Sequence, residues 1–202
     1  FVMVWVPGVD EIPMSVSEIG ENGHIAITVA NVGDATARLH GLHIGDLIGI
    51  RGPYGTSYEI HPGTAIIVAG GTGIASLLPL IAEITRIQHQ KKNSRINRLI
   101  IIQGAKKKVD LFFEDKILQY LSDYCRIQVC TDDGSHGYRG FATDQLNIVL
   151  QEELQSLKSN KHGKSAITIY ACGPEPMLKK CVLIADQYQV DLQASLERVM
   201  RC

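Results

Sequence analysis

No apolar run in this chain approaches the length of a membrane span, and neither charge sign dominates: 20 Lys and Arg stand against 21 Asp and Glu. A chain so balanced has no general attraction for nucleic acid or an anionic membrane surface. Only Lys106-Lys107-Lys108 makes a local basic cluster. The five cysteines are an odd number in no regular framework, which argues against a secreted disulfide scaffold. Cys125 and Cys130 have the spacing that opens a plant-type iron–sulfur run, but the close pair that should follow is missing, so they read as buried small apolar residues. Internal repeats and low-complexity tracts are absent. So is a start methionine: Phe1-Val2-Met3-Val4-Trp5-Val6 reads as a strand already under way, and a preceding segment is expected.

What is present is enough apolar content, 45% of 202 residues, to bury a sizeable core. The pattern changes partway along. Residues 1–60 offer short strands near 1–6, 13–19, 24–30 and 46–51, separated by turn residues, as in a small antiparallel barrel or sandwich. From Ala65 onward, strands at 65–69, 98–103, 126–131 and 166–171 alternate with helical patterns near 74–90, 111–122, 143–157 and 175–188, and Asp191 to Ala194 adds a fifth strand. That alternation predicts a parallel sheet covered by helices on both faces. The boundary falls near His61-Pro62-Gly63.

The second half is organised around Ala65 to Ser76, an apolar run that enters the turn Gly70-Gly71-Thr72-Gly73 and then a helix. Glycines let backbone approach an anion, and the helix start offers bare N–H groups and the positive end of a dipole. It is not a Walker loop, because no Lys-Ser/Thr pair follows. It also departs from the full dinucleotide fingerprint: Ser76 stands in place of the third glycine, and no acid stands at Gln103-Gly104 for a ribose. Ligands of an open parallel sheet bind beyond the carboxyl ends of its strands. Those ends read Gly70 to Gly73, Gln103 to Lys106, Thr131 to Ser135 and Ala171-Cys172-Gly173-Pro174, each small, polar or glycine-containing. Plain turns account for such residues too, but four in succession favour an extended ligand. Cys172 is either a ligand contact near a helix start or a half-buried structural cysteine.

In the first half, Pro13-Met14-Ser15-Val16-Ser17 puts Ser15 and Ser17 on one strand face, where a hydroxyl can bond a heteroaromatic ring or simply meet solvent. Gly33 with Thr36 suits a second phosphate group. Arg51-Gly52-Pro53-Tyr54-Gly55 combines a cation, a turn and an aromatic ring. His40 and His43 lack a third partner for a metal.

In this order, the motifs resemble those of the ferredoxin reductase-like flavoproteins over nearly the whole chain. Pro13 to Val16 sits where that family has a flavin-ring motif, although Ile12 stands in place of its arginine. Gly52-Pro53-Tyr54-Gly55 resembles the Gly-Pro-x-Gly that closes the barrel, Gly70 to Gly73 the pyrophosphate turn, and Cys172-Gly173-Pro174 the Cys-Gly-Pro near the nicotinamide. Within the superfamily the chain resembles the electron-transfer subunits of dihydroorotate dehydrogenase B. Gly104-Ala105-Lys106 through Phe113-Glu114-Asp115, Thr131 to Ser135 with Gly137 and Gly140, and Ser195 to Cys202 carry that likeness.

The resemblance implies an N-terminally incomplete antiparallel flavin-binding barrel (1–60), a five-stranded parallel α/β nucleotide-binding domain (61–194), and the start of a truncated 2Fe–2S segment (195–202). It further implies a cytoplasmic enzyme of pyrimidine biosynthesis that passes electrons between a partner dehydrogenase and NAD through FAD, in a hetero-oligomer without nucleic acid or membrane. Pro13, Met14, Ser15 and Val16 are expected at the flavin ring, Gly33 and Thr36 at its phosphates, and Gly55 near the same cofactor. Gly71, Thr72 and Gly73 are expected at the NAD pyrophosphate, with Cys172 and Gly173 near the nicotinamide. Cys202 is the first cluster ligand, and the cluster itself is implied only for a longer natural chain. Two alternatives stay open: another hydrogenase- or ferredoxin-linked NAD(P)H oxidoreductase subunit, and a non-catalytic nucleotide-binding regulatory domain.

Overall fold

The computed structural model describes residues 1–89, 96–120, 122–159 and 166–196. The cluster ligand expected at Cys202 lies outside the described residues, as does the rest of its segment after Leu196. Two compact units are present, residues 1–57 and 58–202.

The first unit contains β1 (Val2–Trp5), β2 (Glu11–Met14), β3 (Val16–Ile19), β4 (Ile25–Ile27), α1 (Asp34–His40) and β5 (Gly49–Arg51). Among the described residues its strands make two antiparallel sheets, β2-β1-β5 and β3-β4, the antiparallel architecture expected of an N-terminally incomplete barrel. The chain changes sheets at Ser15, and a bulge between Val16 and Glu18 bends β3 there. Val2, Val4 and Val6 form the small core, with Met14, Val16, Ile27, Leu39 and Ile48 packed against it. Helix α1 was not evident in the sequence, because only Leu39 of its seven residues joins that core and no apolar period results. Arg51 is committed to Glu11 through two hydrogen bonds of 2.7 and 2.6 Å.

The second unit is an all-parallel sheet with order β11-β10-β6-β7-β8-β9, where β6 is Gly63–Gly70, β7 Ile96–Ala105, β8 Cys125–Thr131, β9 Tyr138–Arg139, β10 Ile167–Cys172 and β11 Asp191–Ser195. Among the described residues it has six strands, one more than the sequence predicts. The extra strand, β9, is two residues long and gives no alternation to read. Central β6 is buried along its whole length. Alternate residues reach opposite faces, as pleating requires. Ile66 and Val68 pack with α4 (Ala142–Ser159) and α5 (Glu175–Tyr188), and Ala65, Ile67 and Ala69 pack with α2 (Ile74–His89). Each fully buried Ile, Leu or Val is worth roughly 1.5–3 kcal/mol before chain entropy is subtracted. Helix α2 buries Ile74, Leu77, Leu78, Leu80, Ile81 and Ile84, and so keeps its place despite Pro79.

The helix predicted over 111–122 is present only as α3 (Glu114–Leu118). Two features end it early on its N-terminal side: the Phe112 carbonyl accepts from Gln103 Nε2 at 2.8 Å, and Phe113 takes a left-handed backbone (φ 62°). Tyr58 to His61 belong to this unit because the Tyr58 hydroxyl donates to Ala171 O at 3.1 Å and the Tyr170 hydroxyl donates to Glu59 O at 3.0 Å. Among the described residues no helix is long and apolar enough to cross a membrane.

Candidate functional site

At the carboxyl end of β6 the chain makes one 3-10 turn, Gly71–Gly73, and enters α2. Gly71 has φ +54° and open space where a Cβ would stand, and Thr72 is exposed beside it. The first N–H groups of α2 have no acceptor within the helix, so this end suits an anion. Gly73 is set differently. A Cβ there would lie 2.4 Å from Cys172 O and 2.6 Å from Cys172 C. A Cβ on Gly173 would in turn meet the Gly70 nitrogen at 2.9 Å. The turns that follow β6 and β10 are therefore in backbone contact, which only glycine permits. The strand-end rule and the family resemblance brought Gly73 and Cys172 into one hypothesis, and the parallel pairing of Ala69 with Cys172 brings them together in space.

Ser76, third residue of α2, adds a link that the sequence did not reveal. Its Oγ lies 2.9 Å from Gly73 O and 2.9 Å from Cys172 Sγ. The first contact is local, and a serine three residues after a turn carbonyl is a readable signal for it. The second spans 96 residues and has no sequence signature. Tyr58 is the other unexpected neighbour. Burial pushes its phenol well above the ordinary tyrosine range, the nearby Cys172 pushes the same way, and hydrogen bonding with Ser195 opposes them. Ser195 is the register partner of Cys172 across β10 and β11.

The loops after β7 and β8 are laced together. Asp132 N–H donates to Ala105 O at 3.1 Å, Asp133 N–H to Lys106 O at 3.2 Å, and Lys108 N–H to Ser135 Oγ at 2.8 Å. Hydrogen bonds from Ser135 hold the Asp133 carboxyl below its usual range. His136 Nε2 and Glu114 Oε1 are 2.9 Å apart. Gly104 to Lys106, Glu114 and Thr131 to Gly140 thus form one cluster at the sheet end, with Lys106, Lys107 and Lys108 exposed on it.

In the first unit Ser15 is exposed at the crossing between sheets, whereas Ser17 is 5% exposed, so the two do not share an environment as strand alternation predicts. The change of sheet at Ser15 breaks the alternation. Met14 and Val16 direct their side chains to the core, and Pro13 is exposed opposite Met3. Thr36 Oγ1 accepts from Val32 N–H (3.0 Å) and Gly33 N–H (2.9 Å) and donates to Gly33 O (2.8 Å). Its proton and both lone pairs are then in use. Thr36 builds the start of α1, and the donors left for a phosphate are backbone N–H groups of the first turn. Gly55 lies against the Phe1 ring.

Cys125, Cys130 and Cys181 are buried and pack in the core. Burial pushes the thiols of Cys125 and Cys181 up to about 11 and that of Cys130 up to about 12. His40 Nε2 contacts Val29 O at 2.9 Å, and among the described residues no group of three metal-ligating side chains exists.

The family profile described as oxidoreductase NAD-binding domain matches residues 67–182. A relative from Methanocaldococcus jannaschii, named probable dihydroorotate dehydrogenase B (NAD(+)), electron transfer subunit, is 38% identical over all of this chain and 68% of its own length. One of the same name from Methanothermobacter thermautotrophicus is 40% identical over all of this chain and 67% of its own. This chain thus spans about two thirds of the length of these relatives. Among solved structures, an NADH-dependent reduced ferredoxin-NADP oxidoreductase superposes with a TM-score of 0.70 at 27% identity, over 99% of this chain and 66% of the other. The ferredoxin-NADP+ reductase of Plasmodium falciparum has a TM-score of 0.69 at 16% identity, over 96% and 81% of the two chains, a likeness of fold.

Proposed function

The chain belongs to the family of dihydroorotate dehydrogenase B electron transfer subunits, and from that premise we propose that it moves electrons between a catalytic dihydroorotate dehydrogenase subunit and NAD through bound FAD. The observation that carries this reading is the backbone contact of the Gly71–Gly73 turn with Cys172 and Gly173, because it provides anion donors and a thiol at one sheet end. A dinucleotide has that combination of needs, a pyrophosphate and a flat ring at a fixed separation. Bound flavin supplies the exchange of a hydride with nicotinamide and of single electrons with a one-electron partner.

The residues supply placement. Gly71, Thr72 and Gly73 receive the NAD pyrophosphate through backbone N–H groups, while Cys172 and Gly173 border the nicotinamide. In the first unit, Ser15 donates to the flavin ring, Pro13, Met14 and Val16 offer backbone to it, and the start of α1 after Gly33 takes its phosphates, with Thr36 holding that start in shape. Gly55 keeps the barrel-closing turn beside the same cofactor. No side chain is needed as a general acid or base. One cysteine does not fit a 2Fe–2S cluster, which takes four ligands, so cluster binding through Cys202 is assigned only to a longer natural chain.

An absorption spectrum of the full natural chain purified without air tests the cofactors. Flavin bands that bleach with NADH are expected, and a colourless protein that still binds nucleotide refutes the reading in favour of a regulatory domain. Ser15→Ala is expected to shift the bound flavin's visible spectrum, since a ring hydrogen bond is lost; a spectrum identical to that of the parent protein removes the bond.

A second reading, an NADP-linked reductase, draws on exposed Lys106, Lys107 and Lys108, where a cation can meet a 2′-phosphate. Because the relatives are named for NAD(+), we expect flavin reduction by NADH to exceed that by NADPH, with the lysines left solvated. A preference for NADPH establishes the second reading.

A further inference from the structure

Residues 58–61 lie across one face of the parallel sheet, over β10 and β11, and follow the register of those strands. Cys172 stands opposite Ser195 there, and Tyr170 opposite Gln193. The two rows are two residues apart and so face the same way. Glu59 sits over the Tyr170 row: its N–H donates to Gln193 Oε1 and its carbonyl accepts from Gln193 Nε2, both at 2.8 Å, and from the Tyr170 hydroxyl at 3.0 Å. Tyr58 sits over the Cys172 row. Its hydroxyl donates to Ala171 O at 3.1 Å and hydrogen bonds with Ser195, and its ring stands edge-on to that of Tyr170 with 5.8 Å between centroids. Strand β11 is the edge of the sheet, five residues long and paired on one side only. Ends of short edge strands are among the first parts of a sheet to open, and this end is the neighbour of Cys172.

We propose that Tyr58 is a positioning residue for the nicotinamide site: its hydroxyl ties the carboxyl end of β10 to that of β11 and so holds the backbone of Cys172 at one height beside the ring. On its other side β10 needs no such tie, because Cys172 pairs with Ala69 and its carbonyl lies against Gly73. The edge side has only β11, and Tyr58 supplies there what a further strand supplies in the middle of a sheet. Gln193 serves the same end one row back, gripping both polar groups of the Glu59 backbone so that Tyr58 is presented in a fixed direction. The phenol acts as a neutral donor, and burial, which pushes its loss of a proton well above the ordinary tyrosine range, suits it to that task. Phenylalanine fills the same space, so packing alone does not account for the hydroxyl. The role rests on the placement of the nicotinamide at Cys172.

The test compares Tyr58→Phe with Tyr188→Phe in the flavin-loaded full natural chain. Tyr188 also carries a half-buried hydroxyl, bonded to Asn147 at 2.7 Å and to Gln151 at 3.0 Å between α4 and α5, and its loss is the control for a merely structural effect. Amide hydrogen exchange at Ser195 is expected to quicken about fivefold in Tyr58→Phe, as for one hydrogen bond of ordinary net strength, and to stay unchanged in Tyr188→Phe. Unchanged exchange at Ser195 in Tyr58→Phe overturns the tie between the strands. In single-turnover flavin reduction, Tyr58→Phe is expected to be about fivefold slower at saturating NADH, with half-saturation moved by less than about twofold, while Tyr188→Phe matches the parent. The same change made in the Cys172→Ala background is expected to add little, because the effect acts through that residue. An unchanged rate in Tyr58→Phe, equal slowing by the two tyrosine variants, or a full effect that persists without the thiol overturns the positioning role. If Cys172→Ala alone leaves the rate unchanged, the placement of the nicotinamide has failed and the positioning role with it, whereas exchange at Ser195 still decides the tie.

Discussion

Cys172→Ala is expected to slow the reduction of flavin by NADH roughly 10- to 100-fold in a single turnover, the range in which misplacement of a reacting pair by a fraction of an ångström falls. The protein is expected to keep its full complement of flavin. The flavin ligands proposed here, Pro13 to Val16 and the start of α1, all lie in residues 1–57, and Cys172 lies in the other unit. Stability should change little, since the side chain is only half-buried and alanine fits the same strand position. Stopped-flow absorbance of the purified variant separates these effects. Unchanged reduction removes Cys172 from the site, whereas loss of flavin makes the cysteine a determinant of folding.

Gly73→Ala is expected to act on both stability and binding. The added Cβ would stand 2.4 Å from the Cys172 carbonyl oxygen at the end of β10, and that oxygen belongs to backbone in the sheet, which cannot rotate away. Relief requires the loops after β6 and β10 to part. Overpacking of this kind costs about 3 kcal/mol, and the melting temperature should fall by roughly 10 °C. NADH affinity should fall by about 100-fold, because the turn no longer presents its N–H groups together. Gly71→Ala provides the contrast. No atom lies within 4 Å of its Cβ position, so only the left-handed backbone is penalised, by about 1–2 kcal/mol. Equal effects from the two substitutions, measured by thermal denaturation and NADH titration, contradict the close approach.

The sequence revealed most where periodicity is strong. The apolar run at Ala65 to Ala69 and the three- and four-residue spacing of Leu77, Leu78, Ile81 and Ile84 are written by burial, and β6 and α2 follow them closely. The change from short strands to alternating strands and helices likewise identified two architectures. What stayed hidden is short or non-local. Helix α1 buries too little to imprint a period, β9 is two residues long, and α3 is cut off by a backbone reversal at Phe113 that no residue type advertises. At the sheet end, Gly71, Gly73 and Gly173 were legible as turn positions because a left-handed backbone or a close approach demands glycine. The bond from Ser76 to Cys172 was not, and neither was the commitment of Thr36 to its own helix cap. A hydroxyl looks the same in sequence whether it serves a ligand, the backbone or a thiol.

The order of strands in the parallel sheet also dictates the order in which the polypeptide can be assembled. Strand β6 is buried throughout and pairs on one side with β7, which follows soon after it, but on the other side with β10, whose Tyr170 meets Ile67. About a hundred residues of synthesis separate those partners, or roughly 5–20 s at ribosomal speed. For that interval this strand, buried along its whole length in the finished fold, has one unpaired edge. A nascent chain in this state is a ready template for association with its neighbours until β10 arrives.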